Sequence, residues 1–230
     1  MSNIVPSFVQ SIFNEDVKQS IKDISEVGID SVLEEGVLRD IPIIGTVTAL
    51  CRTGINIKER NFIKQTVCFI REFNEQTISE EKYYKHKKML EENSDYAEKE
   101  LGIVIMFLVD NIEEELSKIA ARIYAAYINK TIDWEDFSEL IEANKRMFIH
   151  DYKVLLSIND VHGQTEKYRY GRLIGLGLIV EKESPAAERS PMEDLFPRNE
   201  SKGRYIPEFL REDYQITSFG NKLLQFVKER

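Results

Sequence analysis

Residues 110–148 read DNIEEELSKIAARIYAAYINKTIDWEDFSELIEANKRMF, which is the pattern of two capped amphipathic helices in succession. In the first, three glutamates follow Asn111, where the helix dipole favours negative charge. Its inner face carries Leu116, Ile119, Ile123 and Tyr127. In the second, Asp133 is the expected N-cap, and large apolar residues recur at near-helical spacing: Trp134, Phe137, Leu140, Ile141 and Phe148. This stretch predicts a mainly α protein in which helix packs on helix.

The same spacing continues toward the N-terminus. We predict one amphipathic helix over residues 6–38, a second over 58–73, a third that starts at Ser79, and a fourth over 95–109. Together with the two helices above, these predict a multi-helix bundle over residues 1–150.

Residues 40–57, DIPIIGTVTALCRTGINI, lack a polar face. A helix that is apolar all round is normally buried in a bundle, so an aspartate at Val47 or Leu50 should unfold the protein. We interpret the segment as structural or, conditionally, membrane-active, and its marker residues are Pro42, Gly45, Arg52 and Gly54.

After Phe148 the pattern changes to short elements. We predict two helices, a strand near residues 178–181, a polar loop over 183–213 with four prolines, a return strand at 214–216, and a last helix capped by Thr217 or Ser218. This order is typical of a winged helix. Residues 151–230 are therefore predicted to form a small winged-helix-like α+β module with a long wing loop.

Charge differs between the two parts of the chain. The 230 residues carry 31 Lys and Arg against 40 Asp and Glu, a net charge of −9. Residues 1–150 hold 18 basic and 27 acidic side chains, and residues 151–230 hold 13 of each. An acidic protein is repelled by nucleic acid and anionic lipid unless a local basic patch intervenes. The contrast also favours two modules.

The cysteines, the N-terminal residues and the apolar runs indicate the cellular compartment of the protein. Cys51 and Cys68 lie in apolar surroundings and are interpreted as buried thiols in a reducing cytosol. The first ten residues have no basic region followed by an apolar one. The longest apolar runs, residues 41–51 and 101–109, fall short of the roughly 20 residues that a spanning helix needs. We expect a cytoplasmic protein.

Residues 28–70 resemble a widespread, uncharacterised group of bacterial helical proteins. The shared features are an IPxxG turn, an apolar helix that ends in R/K-x-G, and an IxxRxF helix, matched here by Pro42, Gly45, Arg52, Gly54, Ile57, Arg60 and Phe62. AYINKTIDWEDF resembles a later segment of the same group. GRLIGLGLIV and YQITSFGNKLLQFV resemble the end of bacterial winged-helix modules, in which an I/L-T-x-x-G turn starts the last helix. The resemblance implies a bacterial origin and no particular activity.

Motifs of catalysis and metal binding are missing from the sequence. HExxH, GxSxG and GxxxxGK[ST] do not occur, and the three histidines lie far apart. His86 stands among lysines and is expected to be exposed. Gly171, Gly175 and Gly177 follow a predicted helix, which favours a C-cap and close packing over a dinucleotide loop. We expect a non-enzymatic protein with no metal and no cofactor.

The predicted second helix of the tail carries the most notable surface. Lys167, Arg169 and Arg172 alternate there with Tyr168 and Tyr170, a combination that can contact a phosphate backbone or a protein partner. The module is net neutral, whereas DNA-binding domains are usually clearly basic, so DNA is possible but disfavoured.

Three functions remain open from the sequence. The favoured one is an interaction or regulatory protein that binds a protein partner, or itself, through its helical surface and tail. The second is a conditional membrane effector, of a defence or toxin-like kind, that releases the helix at residues 41–57. The third is a winged-helix DNA-binding regulator.

Overall fold

A computed structural model of the chain describes residues 4–24, 40–51, 56–158, 167–182 and 214–227. These residues form eleven helices and two strands. The elements are α1 Ile4–Ile12, α2 Glu15–Ile24, α3 Pro42–Leu50, α4 Ile57–Glu75, α5 Glu80–Glu92, α6 Ser94–Asp110, α7 Glu114–Ile128, α8 Trp134–Arg146, α9 Ile149–Ser157, α10 Lys167–Gly175, β1 Ile179–Glu181, β2 Tyr214–Ile216 and α11 Ser218–Leu224. The protein is thus mainly α with a small sheet, as predicted.

The chain divides into two compact units, Met1–Ile149 and His150–Arg230. The first contains α1 to α8, and the second contains the tail helices and both strands. Within the described ranges, every helix is too short or too polar to cross a lipid bilayer.

The first unit is built around α4 and α7, which pack along each other. Helix α8 packs on α7, α6 packs on α4 and α8, and α1 packs on α3, α4, α5 and α6. An aromatic core connects these helices. Phe8 of α1 contacts Phe69 of α4, and Tyr124 of α7 contacts both Phe73 and Phe137. Burial of these large side chains supplies much of the driving force for folding.

Local capping confirms most of the predicted helix starts. The Asp133 side chain accepts a hydrogen bond from the Asp136 amide at the start of α8. The side chain of Asn93 ends α5 and caps α6 by accepting from the Tyr96 amide. Ser79 is the N-cap of α5 but makes no capping bond with its side chain.

The predicted single helix over residues 6–38 is wrong in its first part. The chain forms two helices there, α1 and α2, with a break at Phe13 and Asn14. The Asn14 carboxamide oxygen accepts from the Asp16 amide, a local bond of the kind that lets asparagine compete with helix continuation. Residues 25–39 lie outside the described ranges.

The tail unit pairs its two strands antiparallel, with Ile179 opposite Ile216 and Glu181 opposite Tyr214, which confirms the predicted pair. Helix α10 ends in a Schellman motif, in which the Gly177 amide donates to Ile174 and the Leu178 amide donates to Leu173. The φ of Gly177 is +70°, a conformation that favours glycine. The wing loop predicted for residues 183–213 lies outside the described ranges.

Gly220 explains the ITxxG sequence at the start of α11. Thr217 is the N-cap, and its hydroxyl accepts from the Gly220 amide while donating to the Gly177 carbonyl at 2.7 Å. A Cβ at position 220 would lie 2.2 Å from the carbonyl oxygen of Leu178. Only glycine lets the first turn of α11 approach β1 this closely.

Candidate functional site

The predicted contact residues of the tail all fall on α10, but packing engages several of them. Arg172 Nε lies 3.4 Å from Oδ2 of Asp151, which is fully buried. The ring of Tyr170 stacks on Tyr214 of β2 with centroids 4.5 Å apart. These two side chains therefore tie α10 to α9 and to the sheet.

Two of the other predicted residues of α10 contact each other. The ring of Tyr168 is exposed, and the Arg169 guanidinium lies 5.2 Å from its centroid. Lys167 is the first residue of the helix. The three cations and two tyrosines share one short helix, but they do not form one free surface, because Arg172 and Tyr170 face other elements of the tail. The close packing predicted for the glycines of the GRLIGLG stretch is wrong. A Cβ at Gly171, Gly175 or Gly177 would meet nothing within 4 Å.

The marker residues of the apolar segment lie only partly within the described ranges. Pro42 is in the first turn of α3, where a missing amide hydrogen costs nothing. The neighbouring Ile43 amide donates to Ser11 Oγ of α1 at 2.9 Å. Gly45 lies half-buried in the middle of the helix. Arg52 and Gly54 are outside the described ranges.

Helix α3 is buried on one side rather than all round. Its buried side chains are Ile43, Ile44 and Val47, which pack toward α1. Leu50 is 64% exposed. The prediction that Leu50 is buried is wrong, because α3 ends there and its last turn extends past α1.

A buried polar network that the sequence did not reveal joins α5, α6 and α7. His86 Nε2 lies 2.6 Å from Glu100 Oε1, and the Tyr124 hydroxyl donates to the same oxygen at 2.7 Å. The side chains of His86 and Glu100 are 2% and 0% exposed. The prediction of an exposed His86 is therefore wrong. Successive helix residues point in different directions, so Lys85 and Lys88 face solvent while His86 faces the core.

The electrostatics of this network favour a charged Glu100. Burial alone would raise the pKa of its carboxyl group, but the hydrogen bond and charge of His86, with hydrogen bonds from Tyr96 and Tyr124, hold that pKa below its ordinary value. Burial also raises the pKa of Tyr124, so its phenol remains a donor. Because these side chains are sealed from solvent, the network fastens three helices and gives no access to a substrate.

A second polar network fixes the connection between α6 and α7. Asn111 Nδ2 donates to Ser117 Oγ at 2.8 Å and to the Glu113 carbonyl at 2.7 Å. Ser117 Oγ in turn donates to Gln65 Oε1 at 2.8 Å. These hydrogen bonds hold the polar side chains of the connection, whereas the side chain of Ile112 is 77% exposed.

The exposed apolar side chains at the end of α6 form what we call the outer strip: Met106, Val109 and Ile112. Met106 and Val109 are three residues apart on α6 and are therefore neighbours on its surface, and Ile112 follows in the connection to α7. Met106 is 53% exposed. Exposed apolar side chains that adjoin one another mark interaction surfaces more often than scattered ones do.

A groove of about 370 Å³ lies beside the outer strip, between α6 and α8. Gly102, Ile103 and Met106 line it from α6, and Ile141 and Lys145 line it from α8. A Cβ at Gly102 would meet nothing within 4 Å, so the groove is open above this glycine.

Two contacts show that α6 and α8 run in the same direction. At one end, the Lys99 ammonium lies 5.1 Å from the centre of the Trp134 ring. About three turns further along both helices, Lys145 Nζ lies 2.7 Å from Asp110 Oδ2. The groove therefore has an end near the two helix N-termini and an end near the outer strip.

Comparisons with known proteins found no match for the chain. The chain matches no protein-family model, no curated protein and no solved structure. The resemblance to a bacterial helical family therefore stays a prediction. Among the described residues, no group of three or more His, Cys, Asp or Glu side chains is placed to hold a metal ion.

Sequence reasoning missed the outer strip for a physical reason. The run at residues 101–109 is apolar all along, so it predicts a core helix and does not show which face remains uncovered. The one available signal was Gly102, a poor helix former inside a strong helix. It marks the open position in the groove.

Proposed function

We propose that the protein is a non-enzymatic interaction or regulatory protein whose helical unit binds a protein partner through the outer strip and the groove beside it. The observation that carries this proposal is the exposure of Met106 and Val109 one turn apart on a well-packed helix, followed by the exposed Ile112 in the next connection. Methionine is enriched in protein interfaces, and the buried centre of an interface is more apolar than the rest of the protein surface.

The rigidity of the surface supports this function. Glu100 of α6 bonds to α5 and α7, and the Asn111 network holds the C-terminal end of α6. A surface that is fixed before binding loses little conformational entropy when a partner docks.

We also propose that the tail is a winged-helix-like module that contributes to partner binding rather than to DNA binding. The order of α9, α10, β1, β2 and α11 supports the first part. The engagement of Arg172 with Asp151 supports the second, because it leaves fewer cations for phosphates. A gel shift with the gene's upstream region should show no preference over random duplex DNA; a preference that Arg169→Ala abolishes would favour the DNA-binding alternative.

A membrane-effector function draws less support from α3. Its buried side chains and the hydrogen bond from the Ile43 amide to Ser11 Oγ attach it to α1. Release would have to break these interactions. If the protein caused dye leakage from anionic liposomes, that result would support this alternative.

Site-specific photo-crosslinking tests the leading proposal. A photoreactive amino acid replaces Met106 in one variant and Lys88, which is exposed on α5, in the matched control. We expect, in bacterial cells that express the protein, a discrete adduct at position 106 and none at 88. The partner identified by mass spectrometry must then bind the purified protein. Equal labelling at both positions, or none at either, would contradict the proposal.

A further inference from the structure

The groove between α6 and α8 has an acidic end and an apolar end. Four exposed carboxylates lie in the first two turns of α6 and α8, near this end of the groove: Asp95, Glu98, Glu135 and Glu139. Glu98 lines the groove itself, together with the single positive charge of Lys99, so negative charge is in excess there. None of the four makes a salt bridge with another described residue. Each neighbouring pair on one helix is three or four residues apart, so the carboxylates form a row along each helix.

The other end of the groove is electrically balanced. Lys145 pairs with Asp110, and Arg146 pairs with Glu142 at 2.6 Å. The outer strip begins at this end, with Met106 and Val109. A partner therefore meets unpaired negative charge at one end and apolar surface at the other.

We infer that the occupant of this groove is an amphipathic helix of a partner protein, with large apolar side chains toward the outer strip and lysines or arginines toward the acidic end. This inference rests on the function proposed above and adds the chemistry of the partner. A helix laid in a groove between two helices buries its apolar face at regular intervals. The excess of acidic residues in positions 1–150 would also steer a basic segment toward this unit.

Charge complementarity distinguishes this occupant from a second copy of the chain. A second copy would present the same carboxylates to the groove and would be repelled by them. A basic helix neutralises them instead. The space above Gly102 fits a large apolar side chain of the occupant, since none of the described residues fills it.

Fluorescence anisotropy with two labelled peptides tests the inference on the full-length protein. The probe is an 18-residue helical peptide with leucines on one face and lysines on the other, and its matched control carries glutamates in place of the lysines. We expect the lysine peptide to bind at least about tenfold more tightly at low salt, and the difference to shrink as salt screens the charges.

Two variants locate the binding. Gly102→Leu fills the open groove and should weaken the lysine peptide at least about tenfold, while Lys88→Leu on α5 should leave it unchanged. Circular dichroism of both variants checks that they fold. Equal binding of the two peptides, or an unchanged affinity of Gly102→Leu, would overturn the inference.

The outcomes also separate this inference from the proposed function. An adduct at Met106 whose partner segment is acidic or uncharged would overturn the partner's chemistry and leave the interaction function standing. Absence of adducts and of peptide binding would contradict both. A wild-type dimer in light scattering that Gly102→Leu converts to monomer would identify a second copy as the occupant and overturn the inference.

Discussion

The two longest apolar runs of the chain, residues 41–51 and 101–109, become helices α3 and α6, and they meet the rest of the protein differently. Helix α3 rests on α1, and the Ile43 amide in its first turn donates a hydrogen bond to Ser11 Oγ of α1. Helix α6 lies between other helices for most of its length, yet its last turns present Met106 and Val109 to solvent. An apolar run thus predicts that a helix is packed, whereas the arrangement of its neighbours decides which face stays open.

A charge placed on each helix tests this difference between α3 and α6 most strongly. Val47→Asp puts a carboxylate on the buried face of α3, where an unpaired charge costs several kcal/mol, on the order of the total stability. Met106→Asp places it on the exposed face of α6 and should change the free energy of unfolding by no more than about 0.5 kcal/mol. Urea unfolding of both variants measures the contrast. Similar midpoints for the two would show that one of these faces has been assigned wrongly.

The attachment of α6 is tested by removing its buried charge. Glu100→Gln leaves His86 without its carboxylate partner and should cost about 3–5 kcal/mol. The double variant His86→Leu with Glu100→Leu should lose less than the sum of the two single leucine variants, because each single variant leaves the other member of the pair buried without its partner.

The same variant carries a pH signature. The pKa of Glu100 is lower in the folded protein than its ordinary value. Its contribution to stability is therefore complete above the ordinary carboxyl pKa and is lost as the pH falls through the lower, folded value. Glu100→Gln should lack this component of the acid-induced loss. Parallel acid profiles for wild type and variant would contradict the account.

The attachment of α3 to α1 is weaker, so breaking it should lower the free energy of unfolding least. Ser11→Ala removes the hydroxyl that accepts from the Ile43 amide, and loss of such a capping acceptor costs about 0.5–2 kcal/mol. Ser20→Ala is a matched control, since the Ser20 hydroxyl donates to the Asp16 carbonyl within α2. A loss for Ser20→Ala as large as that for Ser11→Ala would remove the role assigned to Ser11.

Much of the fold could be predicted because its signals are local. Caps such as Asp133 and Asn93, and the periodic apolar faces of α4 and α7, depend on neighbours within one or two turns. The two short strands follow from turn residues and from the ITxxG sequence, which Thr217 and Gly220 explain.

The candidate site could not be predicted, since it depends on distant residues. His86 and Glu100 meet across two helices, and the exposure of Met106 depends on which face of α6 the other helices leave uncovered. The tail cations illustrate the reverse case. Their sequence favours a binding helix, but whether Arg172 faces a ligand or Asp151 is decided by packing.

The central claim is that the end of α6, rather than the end of α3, is the binding surface, and the affinity of the crosslinked partner tests it most directly. Leu50 is at least as exposed as Met106, so Leu50→Asp is the matched control for Met106→Asp. The account predicts that Met106→Asp weakens the partner at least about tenfold, while Leu50→Asp stays within about twofold. Loss of binding in Leu50→Asp with full binding in Met106→Asp would contradict it.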